Sequence, residues 1–559
     1  MAPPPAGNAD SDPDPGAQHI RRLTDRDVTW LALPSERHEQ VRRATSASDL
    51  VNSMLDSLDP WPPELLARLL HPGGAVAAAL AMAPPGARAL DLGTGWPSLA
   101  AALVSCGLDV TIADPVLLRL RFERLMSAAP VTDAVHLALT SQLPWPDDSF
   151  DRVFVDTAEV HRARGDLRFV IGEVARVLAP EGVAVVAQDA GGPSSRGRLL
   201  RLLREVGLPH ATVLVARPGR ADWSRVLDES RWGQHLTSEA SQASAPSVRG
   251  KRLLKAAIAA AGGVRWLPAD RFVVAYGPEA APCDPLAEIL AEPAGSRELI
   301  RLSDARVAVL GQESFVKLPL SRHQQDALIQ EAQNTRRARS TGFAPHVIRS
   351  VHVHDWHGLP YVRYPLIRER HARPGEAEQT IAQILRGLAP GRDAPLGATA
   401  FWERLTGARG ARDADEAGAR ALRARVLDTM ADVSVPAGPT HGDLHADNLL
   451  LVDGGAAILV DWNRFEPFNP LVLDAGYAAI EHDRRSHGGS LAQALVRFRD
   501  RELTGPLAEL ASSTMGDLDS AQAATLILLD RVVSYSQPRR RYKPWTMPAM
   551  ARAVAALAD

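Results

Sequence analysis

The stretch from Thr440 to Phe465, THGDLHADNLLLVDGGAAILVDWNRF, constrains what this chain can fold into more than any other. Its second half contains a short apolar run, residues 456–460, bounded by Gly454 and Gly455 on one side and by polar residues on the other. That punctuation predicts a strand, the second of a short pair. Three polar side chains are spaced around the pair, Asp443 and Asn448 before it and Asp461 directly after it.

A carboxylate, an amide five positions later and a second carboxylate behind a strand pair suit phosphoryl transfer. That reaction asks little covalent help of a protein; it needs an acceptor hydroxyl aimed in line and Mg²⁺ held against the nucleotide phosphates. Asp443 would orient the hydroxyl and take its proton, while Asn448 and Asp461 would hold the metal. A capped turn at HGDLH accounts for Asp443 alone and leaves the ordered set unexplained. His441 and His445 share the i, i+4 spacing of a zinc pair. Gly442 and the missing Glu after the first His speak against a zinc-binding helix.

HGDLH, Asn448 and VDW resemble the catalytic and metal-binding segments of the aminoglycoside phosphotransferase and choline kinase group, relatives of protein kinases. The resemblance implies a bilobal, protein-kinase-like α+β domain that uses ATP and Mg²⁺. Upstream, ELIRL, ARVAVL and ESFVKLPL predict three short strands, with Lys317 on the third and a helix carrying Glu331 after it. In kinases a strand lysine contacts the phosphates and a helix glutamate fixes it, so the resemblance assigns those roles to Lys317 and Glu331. HGLPYVRYPLI resembles the strand and hinge that place backbone near Tyr364 to Leu366 against adenine. No GxGxxG lies between the first strands, which favours small-molecule kinases over protein kinases, and no GxxxxGK[ST] occurs.

A second arrangement precedes this one. Ala87 to Leu92 predicts a buried strand, Gly93-Thr94-Gly95 a turn that lets backbone approach a ligand, Ser98 to Ser105 a helix, and Asp109 to Ala113 a strand ending in Asp114. An acid at that place can hold the hydroxyls of a ribose, a geometry shared by dinucleotide redox enzymes and by S-adenosylmethionine-dependent methyl transfer. LPWPDDSFDRVFVDTAEV and GEVARVLAPEGVAVVAQD resemble the later motifs of class I methyltransferases, over roughly residues 85–190. The resemblance implies a Rossmann-like, doubly wound α/β domain with Asp91, Gly93, Gly95 and Asp114 on S-adenosylmethionine. Pro97 stands where many relatives have a third glycine, Glu181 replaces the first of two glycines in the usual turn, and Leu139 or Thr140 lies where an acid often contacts adenine. No catalytic base stands out, and methyl transfer can proceed by placement alone; His161 qualifies by position only.

With 559 residues there is room for both domains. The net charge of -3 gives no electrostatic footprint for nucleic acid. Two cysteines far apart, Cys106 and Cys283, predict no disulfide framework and a reducing cytoplasm. No apolar run reaches the ~20 residues of a membrane span; peripheral contact through the basic stretch Pro538 to Trp545 is the remaining route to an anionic surface. We read residues 1–24 as a disordered tail, 25–277 as the methyltransferase-like domain with an accessory segment, 278–296 as a proline-rich linker and 297–559 as the phosphotransferase. Such a fusion resembles enzymes that cap bacterial polysaccharides, which points to a saccharide or small-molecule hydroxyl as acceptor. Two alternatives stand beside it: an antibiotic-inactivating phosphotransferase with an accessory methyltransferase-like domain, and a non-enzymatic scaffold. The oligomeric state is not encoded in any motif.

Overall fold

The computed structural model describes residues 73–94, 96–114, 120, 133–188, 196–219, 222–232, 236, 257, 269–280, 285–292, 298–303, 306–320, 322–369, 375–388, 391–407, 416–452, 455–535 and 552–557. The expected tail at 1–24, residues 25–72, Gly95, Cys283 and the basic run 538–545 lie outside the described residues. The chain divides into two compact units, 1–312 with 318–322 and 357–359, and 313–317 with 323–356 and 360–559.

The first unit runs α1 (Gly73–Leu80), β1 (Arg88–Leu92), α2 (Pro97–Ser105), β2 (Asp109–Asp114), β3 (Asp133–His136), β4 (Phe150–Asp156), α3 (Thr157–Arg162), α4 (Leu167–Val177), β5 (Leu178–Gln188), α5 (Arg196–Glu205), β6 (His210–Gly219), β7 (Asp222–Asp228), β8 (Asp270–Tyr276), α6 (Pro285–Leu290), β9 (Glu298–Ser303) and β10 (Arg306–Leu310). Its sheet has the order β3-β2-β1-β4-β5-β8-β6-β7-β9-β10. The pairs β3-β2, β2-β1, β1-β4 and β4-β5 are parallel, and β8 enters antiparallel between β5 and β6. Parallel strands are covered on both faces and read as apolar runs; Ala89, Leu90, Val153 and Phe154 are all fully buried. This is the Rossmann-like α/β architecture that the first half of the sequence led us to expect. The strands ELIRL and ARVAVL continue the sheet, because β9 pairs with β7 and β10 with β9, both antiparallel.

α4 shows how the motifs lock together. Leu167, Val170, Ile171, Val174 and Val177 bury one helical stripe, and the polar side holds the loop ahead of β4. Glu173 accepts from the Leu143 backbone N–H at 2.8 Å, while Arg176 donates to the carbonyls of Leu143 and Trp145 and to Asp147 at 2.8–3.1 Å. The pieces LPWPDD and GEVARVL therefore belong together because the second clamps the first.

The second unit contains β11 (Ser314–Pro319), α7 (Arg322–Ala338), β12 (His352–Trp356), β13 (Leu359–Pro365), α8 (Glu376–Arg386), β14 (Arg392–Pro395), α9 (Ala400–Gly407), α10 (Glu416–Thr429), β15 (Ser434–Thr440), β16 (Leu449–Leu451), β17 (Ala457–Leu459), β18 (Glu466–Pro470), α11 (Val472–His487), α12 (Leu491–Arg499), α13 (Pro506–Ser513) and α14 (Ser520–Tyr535). β11 pairs antiparallel with β13, putting Phe315 opposite Tyr364 and Lys317 opposite Val362. The helices close around one core that includes Phe343, Phe401, Trp462, Phe465 and Ile527. Trp462 is its anchor: its ring meets Phe343, Phe465 and His441 at centroid distances of 5.1, 5.8 and 4.6 Å. Cutting such a side chain back to Ala costs about 3–5 kcal/mol.

Candidate active site

β16 and β17 are three residues each, and their hairpin decides the site. Register from Leu449↔Leu459 to Leu451↔Ala457 brings the two ends of the hairpin together, and the Val460 N–H donates to the Asn448 carbonyl at 3.0 Å. Asn448 and Asp461, thirteen positions apart in sequence, thus leave the same end of one strand pair. Asn448 Nδ2 donates to the Asp443 carbonyl at 2.7 Å, which leaves its amide oxygen as the group available to a cation. Asp461 has φ 66°, a left-handed conformation uncommon outside glycine and best tolerated by Asn and Asp.

The loop carrying Asp443 is held from beneath. The Asp474 carboxylate at the start of α11 accepts from the backbone N–H groups of His441 at 2.5 Å and Gly442 at 2.8 Å. Asp474 is fully buried, and that burial pushes its carboxyl above the usual range, with His441 and the two N–H groups opposing. His441 Nε2–H donates to the Val460 carbonyl at 2.9 Å, so Nδ1 is the acceptor for the Asp443 N–H at 3.3 Å. Gly442 has φ 81°, and a Cβ there would come within 2.5 Å of the Arg464 carbonyl. Only glycine fits that turn.

Asp443 itself is clasped by Arg531 on α14: Nη1 donates to its Oδ1 at 2.8 Å and Nη2 to the Gly442 carbonyl at 2.6 Å. Burial would push the Asp443 carboxyl up, but the charges of Arg464 and Arg531 outweigh it and hold the group well below the usual carboxylate range. Asp443 is therefore ionised throughout the range in which enzymes work. Burial pushes the neighbouring His445 down, opposed by Asp443.

A second cluster forms around Lys317. Nζ lies 2.5 Å from Glu331 Oε1 and 3.7 Å from Asp461 Oδ1. Glu331 is buried on α7, and three residues on, one turn along the helix, Asn334 donates to the Trp462 carbonyl at 3.1 Å. One helix face thus fixes the lysine and the backbone next to Asp461. Asn463 Nδ2 donates to Asp461 Oδ1 at 3.1 Å.

In the first unit, Gly93 has φ 61° and its N–H donates to the Ala113 carbonyl at 2.7 Å. The β1-β2 register places the turn after β1 beside the end of β2. Asp91 and Asp114 are both buried there, and Asp91 Oδ1 accepts from the Thr94 N–H at 3.2 Å. The carboxylates of both residues and the backbone of Gly93 line the carboxyl end of the parallel strands, where α/β sheets take their ligands. His161, on α3, is pushed down by burial and by Arg198.

The sequence expectations thus fall into three groups: Lys317 with Glu331 and Asp461, Asp443 with Asn448, and Asp91 with Gly93 and Asp114. Arg531 and Asp474 were missed, and so was the bond from the Tyr364 hydroxyl to Glu331. The available signals were a carboxylate opening an apolar helix in LVLDAGYAAI and a DR pair inside LILLDRVV.

Residues 300–510 match the phosphotransferase enzyme family, and residues 90–186 match the methyltransferase domain family. The chain is a fusion of a methyltransferase domain with a domain of the phosphotransferase enzyme family. Over 97 residues it is 42% identical to uncharacterized methyltransferases of Mycobacterium tuberculosis and Mycobacterium bovis, a match that covers 17% of this chain and 37% of each relative. Among solved structures, the [4+2]-cyclase SpnF is 20% identical, covering 40% of this chain and 84% of its own at a TM-score of 0.24. A TehB-like S-adenosylmethionine-dependent methyltransferase from Corynebacterium glutamicum is 25% identical, covering 25% and 76% at a TM-score of 0.22. Among the described residues no helix is long and apolar enough to cross a membrane.

Proposed function

We propose that residues 297–559 transfer a phosphoryl group from ATP to a hydroxyl of a saccharide or other small molecule, and that residues 25–277 transfer a methyl group from S-adenosylmethionine in the same pathway of glycan or natural-product synthesis, in the cytoplasm. The observation that carries the first half is the junction built by the β16-β17 hairpin, which gathers Asn448 and Asp461 at one end while Lys317, held by Glu331, reaches within 3.7 Å of Asp461. Lys317 supplies positive charge for the phosphates. Asp443 accepts a hydrogen bond from the acceptor hydroxyl and aims its oxygen at the γ-phosphorus; the new P–O bond forms as the bond to the β-phosphate oxygen breaks. Held ionised by its arginines, Asp443 is a weak base, so its main contribution is orientation and it takes the proton late, as a loose transition state allows.

The Asn448 amide oxygen and the Asp461 carboxylate fit Mg²⁺, a hard cation that takes oxygen donors and completes its shell with water and substrate phosphates. When bound, Mg²⁺ would neutralise charge developing on the phosphates. The methyl-transfer site would rest on Asp91, Gly93, Gly95 and Asp114, with the acids on the ribose and amino-acid parts and the glycine backbone close to the cofactor.

Asp443→Asn tests the reading. The variant should bind MgATP like the parent and lose about 10²–10⁴ in turnover, the usual worth of a positioned acid-base group. Near-parental turnover would remove Asp443 from the role.

A further inference from the structure

Arg531 lies 88 residues beyond Asp443 and belongs to none of the segments that suggested the site. Its side chain is only 3% exposed. The guanidinium stacks on Tyr477 with 3.5 Å to the ring centroid, and its Nη2 stands 3.6 Å from Asp530. Asp530 is tied in turn to Arg404, which also holds Glu466, both at 2.9 Å. A chain of alternating charges therefore runs from β18 through α9 and α14 to the catalytic loop. It ends on a two-point grip: one amino group on Asp443 Oδ1, the other on the Gly442 carbonyl.

We propose that Arg531 is the positioning residue of the phosphotransferase: by gripping the Asp443 carboxylate through one oxygen and the preceding peptide through its carbonyl, it fixes the carboxylate plane and leaves Oδ2 to the acceptor hydroxyl. Among the described residues no group donates to Asp443 Oδ2, while the Asp443 side chain keeps 20% of its surface exposed. A planar, two-pronged donor is needed for this grip; an ammonium reaches one partner at a time. The stack on Tyr477 and the pairing with Asp530 hold the guanidinium itself in place. In this role Arg531 acts through Asp443, so the assignment rests on the phosphotransfer reading above.

The test uses the full chain, MgATP and water as acceptor. Arg531→Met should lower kcat for ATP hydrolysis by about 10²-fold, the size expected when a reacting group drifts by ~1 Å, and leave the MgATP dissociation constant by calorimetry within about twofold. Arg531→Lys should fall between the two, and added guanidinium ion should restore part of the Met variant's rate. In an Asp443→Asn background Arg531→Met should cost nothing further, because its only path is gone. Parental kcat in Arg531→Met, or an equal loss that persists beside Asp443→Asn, overturns the proposal. Where the Met variant does not fold, Arg531→Lys carries the same comparison in both backgrounds. A parent that turns over no more ATP than Asp443→Asn would overturn the phosphotransfer reading and this role with it, while a cycle of unfolding free energies for the same variants would still report the ion pair.

Discussion

The Tyr364 hydroxyl donates to Glu331 Oε1 at 2.9 Å, the same oxygen that pairs with Lys317, and the Lys317 ammonium lies 5.6 Å from the Tyr364 ring centroid. The tyrosine on β13 thus ties the glutamate on α7 to the strand that pairs with β11. A hydrogen bond to a charged group contributes about 1.5–3 kcal/mol when both partners are buried. Tyr364→Phe keeps the ring and removes the bond. MgATP affinity should fall about fivefold, corresponding to roughly 1 kcal/mol, and an unchanged binding isotherm would show that Lys317 needs no such support.

Asp461 should act on binding as well as on rate. Asp461→Asn is the better substitution, since Asn tolerates the left-handed φ of 66° that Ala would strain. The variant should weaken ATP binding at least about tenfold in the presence of Mg²⁺ and leave the metal-free affinity nearly unchanged. Equal losses with and without Mg²⁺ would move Asp461 from the metal to Lys317 alone.

Asp114→Ala addresses the other half. Loss of one or two charge-assisted hydrogen bonds to a ribose, about 1.5–3 kcal/mol each, should lower S-adenosylmethionine affinity tenfold or more, with MgATP binding untouched. A parent giving no heat with S-adenosylmethionine would mean that the Pro97 and Glu181 departures have cost the domain its cofactor. Tight NAD binding would instead favour redox chemistry.

Glu173 gives a pH test of the clamp on α4. The side-chain hydrogen bond from Arg176 holds its carboxyl below the usual range against the opposing effect of burial. A depressed carboxyl stabilises the fold above its unfolded pKa and loses that contribution as pH falls through the folded value. Glu173→Gln should therefore lower Tm at pH 7 by about 2–4 °C, and the gap to the parent should narrow below about pH 4. A gap that stays constant down to pH 3 would mean that packing, not charge, holds residues 143–147.

How much of this was legible in the sequence depended on distance along the chain. Asp443, Asn448 and Asp461 lie close along the chain around one hairpin, so their spacing was legible, whereas Lys317 and Glu331 were assigned by the resemblance to kinases. Arg531 and Asp474 reach the same loop from α14 and α11, and nothing local marks a side chain that will fold back 88 or 33 positions. Tyr364 was marked only for its backbone, by the resemblance to a kinase hinge, and nothing in the sequence pointed its hydroxyl at Glu331. The pairing of β9 with β7 was hidden for another reason: an antiparallel ladder is defined by which edge is offered, and the proline-rich stretch between them gives no sign of it.

That pairing bears on any attempt to take the protein apart. A cut anywhere in 278–296 removes β9 from its register with Arg225 to Leu227, so the carboxyl-terminal piece would start with a bare ladder edge, and bare edges recruit other strands. Isolated, it should self-associate; expressed beside the amino-terminal piece, it has a strand waiting for it, and the two fragments are suited to reconstitution in trans.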